Sequence, residues 1–123
     1  MYIRFWGVRG SIASPMTNVA LEDKIRKAVQ LGMQAGLTSE WQIPEFMRNL
    51  PCHVRQTAGG NTACVEVWAG EHLLILDAGT GIRPLGLHLI QMYKKNVIEA
   101  HILLTHTHWD HISGIPFFVP GFN

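Results

Sequence analysis

The stretch from Thr105 to His111, "THTHWDH", constrains this chain more than any other. Of its seven histidines, three fall between positions 106 and 111, together with an aspartate. They follow Ala100 to Leu104, an apolar segment that reads as a buried strand. Alternate residues of an extended chain point the same way, so His106 and His108 can share one metal ion. As the loop turns, Asp110 and His111 become available to a second. Imidazole and carboxylate suit Zn, and also Fe or Mn, while the lack of a neighbouring Cys argues against a closed structural zinc. Two ions about 3.5–4 Å apart can polarise a phosphoryl or carbonyl oxygen. The plain alternative, a polar loop whose histidines bond only solvent, accounts poorly for four such side chains at this spacing.

The segments around the cluster alternate between strand and helix. Tyr2 to Trp6 reads as a first strand, stopped by "GVRGS", where Gly7 and Gly10 bracket a tight loop. Thr17 to about Gln34 carries Val19, Leu21, Ile25, Val29 and Met33 at helical intervals, and Gly36 suits a stop. Thr38 or Ser39 can cap a second, shorter helix toward Leu50, with Pro44 disturbing its middle. This block, about residues 17–50, reads as a helical insertion. Thr62 to Trp68 and His72 to Leu76 are two strands joined by a short turn, hence a hairpin. "DAGTG" then leads into a helix from about Ile82 to Lys95, and Ile112 to Phe118 reads as a last short helix. Strands interleaved with helices predict a layered α/β fold.

Composition excludes several classes. At 123 residues the chain has room for one small domain, and 47% hydrophobic with 15% charged residues is a globular balance. Ten basic against nine acidic residues give a net charge of +1, and the dibasic doublets Arg26-Lys27 and Lys94-Lys95 stand far apart. No basic footprint for nucleic acid follows from that. No apolar run reaches a membrane span, and the N-terminus does not read as a signal peptide. Cys52 and Cys64 read as two reduced thiols, with Cys64 buried in a strand, which points to the cytoplasm. His53, His72, His88 and His101 stand apart from other ligand-type residues and read as surface or packing histidines. Trp6, Trp41, Trp68 and the Phe117-Phe118 pair read as core or interface.

"THTHWDH" resembles the metal-binding motif of the metallo-β-lactamase superfamily. Together with "RFWGVRGSIASP", "GGNTACVEV" and "LLILDAGTGIRPLG", it is similar to the phosphodiesterase-like branch related to ribonuclease Z and cyclic-phosphate phosphodiesterases. The similarity covers residues 1–16 and 57–120. It implies the N-terminal half of an αβ/βα sandwich and two zinc ions per complete site, with Mn or Fe as substitutes. It implies a phosphodiester-type small molecule or nucleotide as substrate. His106 and His108 would hold one ion, and Asp110 and His111 the other, with Asp110 also catalytic. Asp77 of "DAGTG" would orient the site by hydrogen bonds, or cap the following helix, or both. Arg9 and Ser11 match a substrate-side loop, a simple turn being the stronger reading for Ser11, and Asn61 either reaches the site or shapes its own turn. The remaining ligands of such a site would come from elsewhere than this chain. A sheet lacking its other half would expose an apolar face, to be covered by a second copy or a partner chain. The alternatives are a hydrolase of a thioester, lactone or β-lactam, and a non-catalytic truncated fragment or interaction module.

Overall fold

The computed structural model describes residues 1–57, 59–93 and 97–121. In chain order the elements are β1 (Tyr2–Gly7), α1 (Asn18–Gln34), a 3-10 turn (Glu40–Gln42), α2 (Ile43–Asn49) and α3 (Cys52–Arg55). Then come β2 (Cys64–Ala69), β3 (His72–Leu76), α4 (Ile82–Tyr93), β4 (Ala100–Leu103), α5 (Trp109–Ile112) and 3-10 turns at Ile115–Phe117 and Val119–Gly121. The chain divides into two compact units, one of Met1–Pro15 with Gly59–Asn123, the other of Met16–Ala58. The architecture is mixed α/β. Among the described residues, no helix is long and apolar enough to cross a membrane.

The first unit is built on a four-stranded sheet in the order β1-β2-β3-β4. β1 and β2 are antiparallel, β2 and β3 form the expected hairpin, and β3 and β4 are parallel with α4 as the crossover. Side chains alternate across each strand, so the sheet has two distinct faces. Cys64, Leu73 and Ile75 point to the face covered by Ile82, Leu85 and Leu89 of α4, and all six are essentially inaccessible. Phe118 closes this core, while Trp6, Trp68 and Ala100 pack at its edge. Glu66 is buried on the same face because both indoles satisfy it, Trp6 Nε1 at 2.7 Å and Trp68 Nε1 at 2.8 Å. On the opposite face lie Val65, Val67, Leu74 and Leu76, half-buried. Ile3 (49%), Phe5 (69%) and Leu103 (51%) flank them, exposed. That face is apolar and open.

Some boundaries differ from expectation, each for a local reason. Thr17 lies outside α1 as its cap, its side chain accepting from Ala20 N at 3.2 Å. Gly36 follows at φ +67, the left-handed stop. Pro44 does not disturb a helix interior: it sits in the first turn of α2, where its missing N–H costs nothing. β4 stops at Leu103, before the histidines, so extended-chain alternation does not govern the cluster. The helix expected at Ile112–Phe118 instead starts inside the cluster at Trp109 and gives way to a 3-10 turn. Both cysteines are free, Cys64 buried and Cys52 exposed. The expected α4 terminus at Lys95 falls outside the described residues, as does the chain end at Asn123.

Candidate metal centre

The two parallel strands deliver the key residues. Leu76 ends β3 and is followed by Asp77, while Leu103 ends β4 and leads to Thr105 and His106. Carboxyl ends of adjacent parallel strands are where open α/β sheets place ligand sites. Asp77 adopts φ +61, a left-handed conformation uncommon for a residue with a side chain. There its N–H still reaches Leu103 O at 2.9 Å, prolonging the ladder. Its carboxylate turns to the neighbouring strand end. Oδ1 accepts from Thr105 N (2.8 Å) and Thr105 Oγ1 (2.9 Å), and Oδ2 lies 2.8 Å from His111 Nδ1. The Asp77 carboxylate thus ties Thr105 and His111 together.

Proton accounting assigns the histidine nitrogens. The single Thr105 hydroxyl proton goes to Asp77, so Thr105 Oγ1 accepts from His106 Nδ1, 3.0 Å away. His111 Nδ1–H donates to Asp77. Both imidazoles then present Nε2 as the lone-pair nitrogen. A ring nitrogen fixed by a carboxylate in this way is the usual support of a metal-binding histidine.

The rings of His106 and His111 stand close together beside Asp110. Donor atoms of His106, Asp110 and His111 all lie within 4.8 Å of one another. His111 Nε2 faces Asp110 Oδ2 at 3.4 Å, two acceptors that need a proton or a cation between them. The donor chemistry thus fits a first-row divalent ion. His108 is not in this convergent set, but its ring stands 4.6 Å from that of His106, edge to face. The grouping is one of three donors with His108 alongside, where two pairs were expected.

Electrostatics keep the carboxylates charged. Burial opposes ionisation of Asp77, but the Thr105 amide, then the His111 and Thr105 side chains, outweigh it and hold its carboxyl below the usual range. Asp110 is also held low, first by the Ser11 amide, which donates to Oδ2 at 2.9 Å. Ser11 thus meets the site through its backbone. Asn61 supplies its carbonyl to Val8 N (3.0 Å) and Arg9 N (2.9 Å), and its side-chain oxygen accepts from Thr80 Oγ1 at 3.2 Å. It shapes the loop behind the site. The Arg9 guanidinium is exposed and has no polar partner among the described residues.

Sequence reasoning missed Thr105, the hub of this network, although it stands within the quoted motif. It also missed the reciprocal bonds of Thr62 and Thr80, N to Oγ1 at 2.9 and 2.8 Å, which lock the "GGNT" and "DAGTG" loops together. Gly79 in the second loop lies so close to the Asp110 carbonyl and Thr62 Oγ1 that no side chain fits.

No protein-family model matches the chain. No solved structure matches it either. Among curated proteins, the lactamase-like protein notP of Aspergillus sp. (strain MF297-2) is 37% identical over 71 residues. Those residues are 56% of this chain and 22% of that protein, so the chain spans less than a quarter of the relative's length. The similarity is to a lactamase-like protein and holds over that stretch alone.

Proposed function

We propose that the chain carries part of the active site of a metal-dependent, phosphodiesterase-like hydrolase, with residues outside this chain completing a dinuclear centre. The observation that carries this reading is the convergence of His106, Asp110 and His111 on a scaffold of Asp77 and Thr105. The lactamase-like relative supports the superfamily. His106 Nε2, His111 Nε2 and the Asp110 carboxylate would hold zinc, with manganese or iron as substitutes, and His108 stands ready beside them. A bound ion supplies Lewis-acid polarisation of a phosphoryl or carbonyl oxygen. The chain's own part is order. Asp77 fixes the His111 tautomer, Thr105 fixes that of His106, and Asp110 stays ionised at neutral pH as an acceptor.

Phosphodiesters are favoured over thioesters, lactones or β-lactams by the likeness of "FWGVRGS" and "GGNT" to that branch. The exposed Arg9 cation, on the loop that touches Asp110, suits a phosphate. A second reading, an interaction module, is favoured by the open apolar face around Phe5 and Leu103. We infer that a second copy or a partner chain covers that face in the working protein. We infer a cytoplasmic setting from the two free cysteines.

Zinc reconstitution followed by gel filtration and elemental analysis tests the centre. Zinc retained by the wild type and lost from His106→Ala and Asp110→Ala supports it, and a wild type that retains none refutes it. A chromogenic phosphodiester assayed beside a thioester tests the substrate class. Turnover of the thioester alone would overturn the phosphodiester assignment.

A further inference from the structure

We propose that the main-chain N–H of Ser11 is the positioning donor that sets the Asp110 carboxylate for metal binding, an inference that rests on the metal-centre reading above. The bond, Ser11 N to Asp110 Oδ2 at 2.9 Å, joins residues 99 apart in sequence. It comes from a built loop. Ser11 sits at φ +66, and Ile12 N donates to Gly10 O at 2.8 Å, closing a three-residue turn around it. Turns of this kind with a positive central φ are rare and strained, and they persist only where the surroundings impose them.

The surroundings here do so from both sides. Before the turn, Val8 N and Arg9 N donate to Asn61 O, and after it Ser14 N donates to Gly60 O at 2.9 Å. Asn61 is tied in turn to Thr80, and Thr80 to Thr62. On the receiving side, Ala78 N donates to His111 O at 2.7 Å, and Gly79 packs against the Asp110 carbonyl. One rigid set of loops thus holds donor and acceptor. Asp110 Oδ2 receives the Ser11 amide on one side and faces His111 Nε2 on the other, which fixes the way the carboxylate turns.

The side chain of Ser11 has no part in this, so the amide alone should matter. The test compares the 123-residue chain with Ser11→Ala, Ser11→Gly, and the ester counterpart of the alanine variant, in which lactic acid replaces residue 11 and the N–H becomes oxygen. Zinc affinity is measured by competition with a chromogenic chelator, and the unfolding midpoint of the metal-free chain is measured in parallel. The expected result is wild-type zinc affinity for the alanine and glycine variants. The ester should lose about 10–100-fold, the range seen when a group supporting a ligand is removed. Its metal-free midpoint should stay within a few degrees of the alanine variant's. An ester that binds zinc as the alanine variant does overturns the proposal alone. So does an ester whose zinc loss is matched by general unfolding. A wild type that binds no zinc overturns the metal-centre reading together with the proposal.

Discussion

Replacing Asp77 by asparagine changes one atom and separates a structural aspartate from one that controls a ligand. The carboxylate has two acceptor oxygens, Oδ1 serving Thr105 N and Oδ2 serving His111 Nδ1, with Thr105 Oγ1 2.9 Å from both. An amide has one acceptor. Whichever way the substituted side chain turns, either the Thr105 amide or His111 Nδ1 meets an NH2 group. The Thr105 amide cannot reverse its polarity, but the imidazole can, by moving its proton to Nε2. That places an N–H where the ligand lone pair pointed at Asp110. Exchanging a charge-assisted hydrogen bond for a neutral one costs about 1–2 kcal/mol in the metal-free chain. For a domain of this size that lowers the unfolding midpoint by roughly 3–12 °C. Zinc affinity should fall by at least about 10–100-fold. The carboxyl of Asp77 is held below its unfolded value, so its contribution is present above the ordinary carboxylate range near about 4. It is lost as pH falls through the lower folded value. The Asp77→Asn variant should therefore also flatten the acid limb of the stability profile. Calorimetry of the metal-free chain and chelator competition read both effects. Wild-type zinc affinity in Asp77→Asn would refute the claim that Asp77 sets the His111 tautomer.

Burial, and then the charges of Glu66 and Asp77, push the Cys64 thiol up to about 12. Iodoacetamide should label one thiol per native chain, Cys52, and two after denaturation, as mass spectrometry would show. Stability should decline as pH rises past the unfolded thiol value of about 8.5 toward that folded one. Gly79→Ala puts a methyl group onto the Asp110 carbonyl and Thr62 Oγ1, with the Ala63 carbonyl 2.8 Å away. It should cost about 1–3 kcal/mol, seen in denaturant unfolding, and weaken zinc binding with it. Phe5→Lys places a charge on the open sheet face at a residue 69% exposed. Sedimentation velocity should show less association, while monomer stability stays within about 0.5 kcal/mol.

The strands were legible because short apolar runs between turn signals leave few other choices, and β2 and β3 lie nearly where their sequences place them. Helix α1 was legible from its period, but the period did not reveal what the helix packs on. Leu21, Ile25, Val29 and Met33 keep 48–77% of their surface exposed, and Gly32 is the buried residue. The candidate donor types stand out from chemistry alone. Their mutual arrangement does not, because it is set by contacts that span sequence: Asp77 with Thr105 across 28 residues, Ser11 with Asp110 across 99. Alternation along a strand suggested pairs, whereas β4 ends at Leu103, ahead of the cluster. Backbone donors such as the Ser11 amide carry no signature in residue type, so no reading of side chains could find them.

The donor geometry also bears on how many ions this chain can hold by itself. Three protein ligands with an open fourth position are the usual complement of a catalytic zinc. In the proposed centre His106, Asp110 and His111 would supply that number, and His111 and Asp110 are held by hydrogen bonds made within the first unit. Among the described residues, His108 belongs to no group of three or more close donors, so it offers no second tight site. Preorganisation removes much of the cost of assembling the first site, whereas no ordering of existing side chains can add donors to the second. The isolated chain should therefore bind close to one zinc per molecule tightly. Titration monitored by calorimetry should show a second ion binding at least about 100-fold more weakly, in keeping with lost ligand support. Two equal, tight sites would mean that a second copy contributes ligands, and Phe5→Lys, by separating the copies, would then abolish one of them.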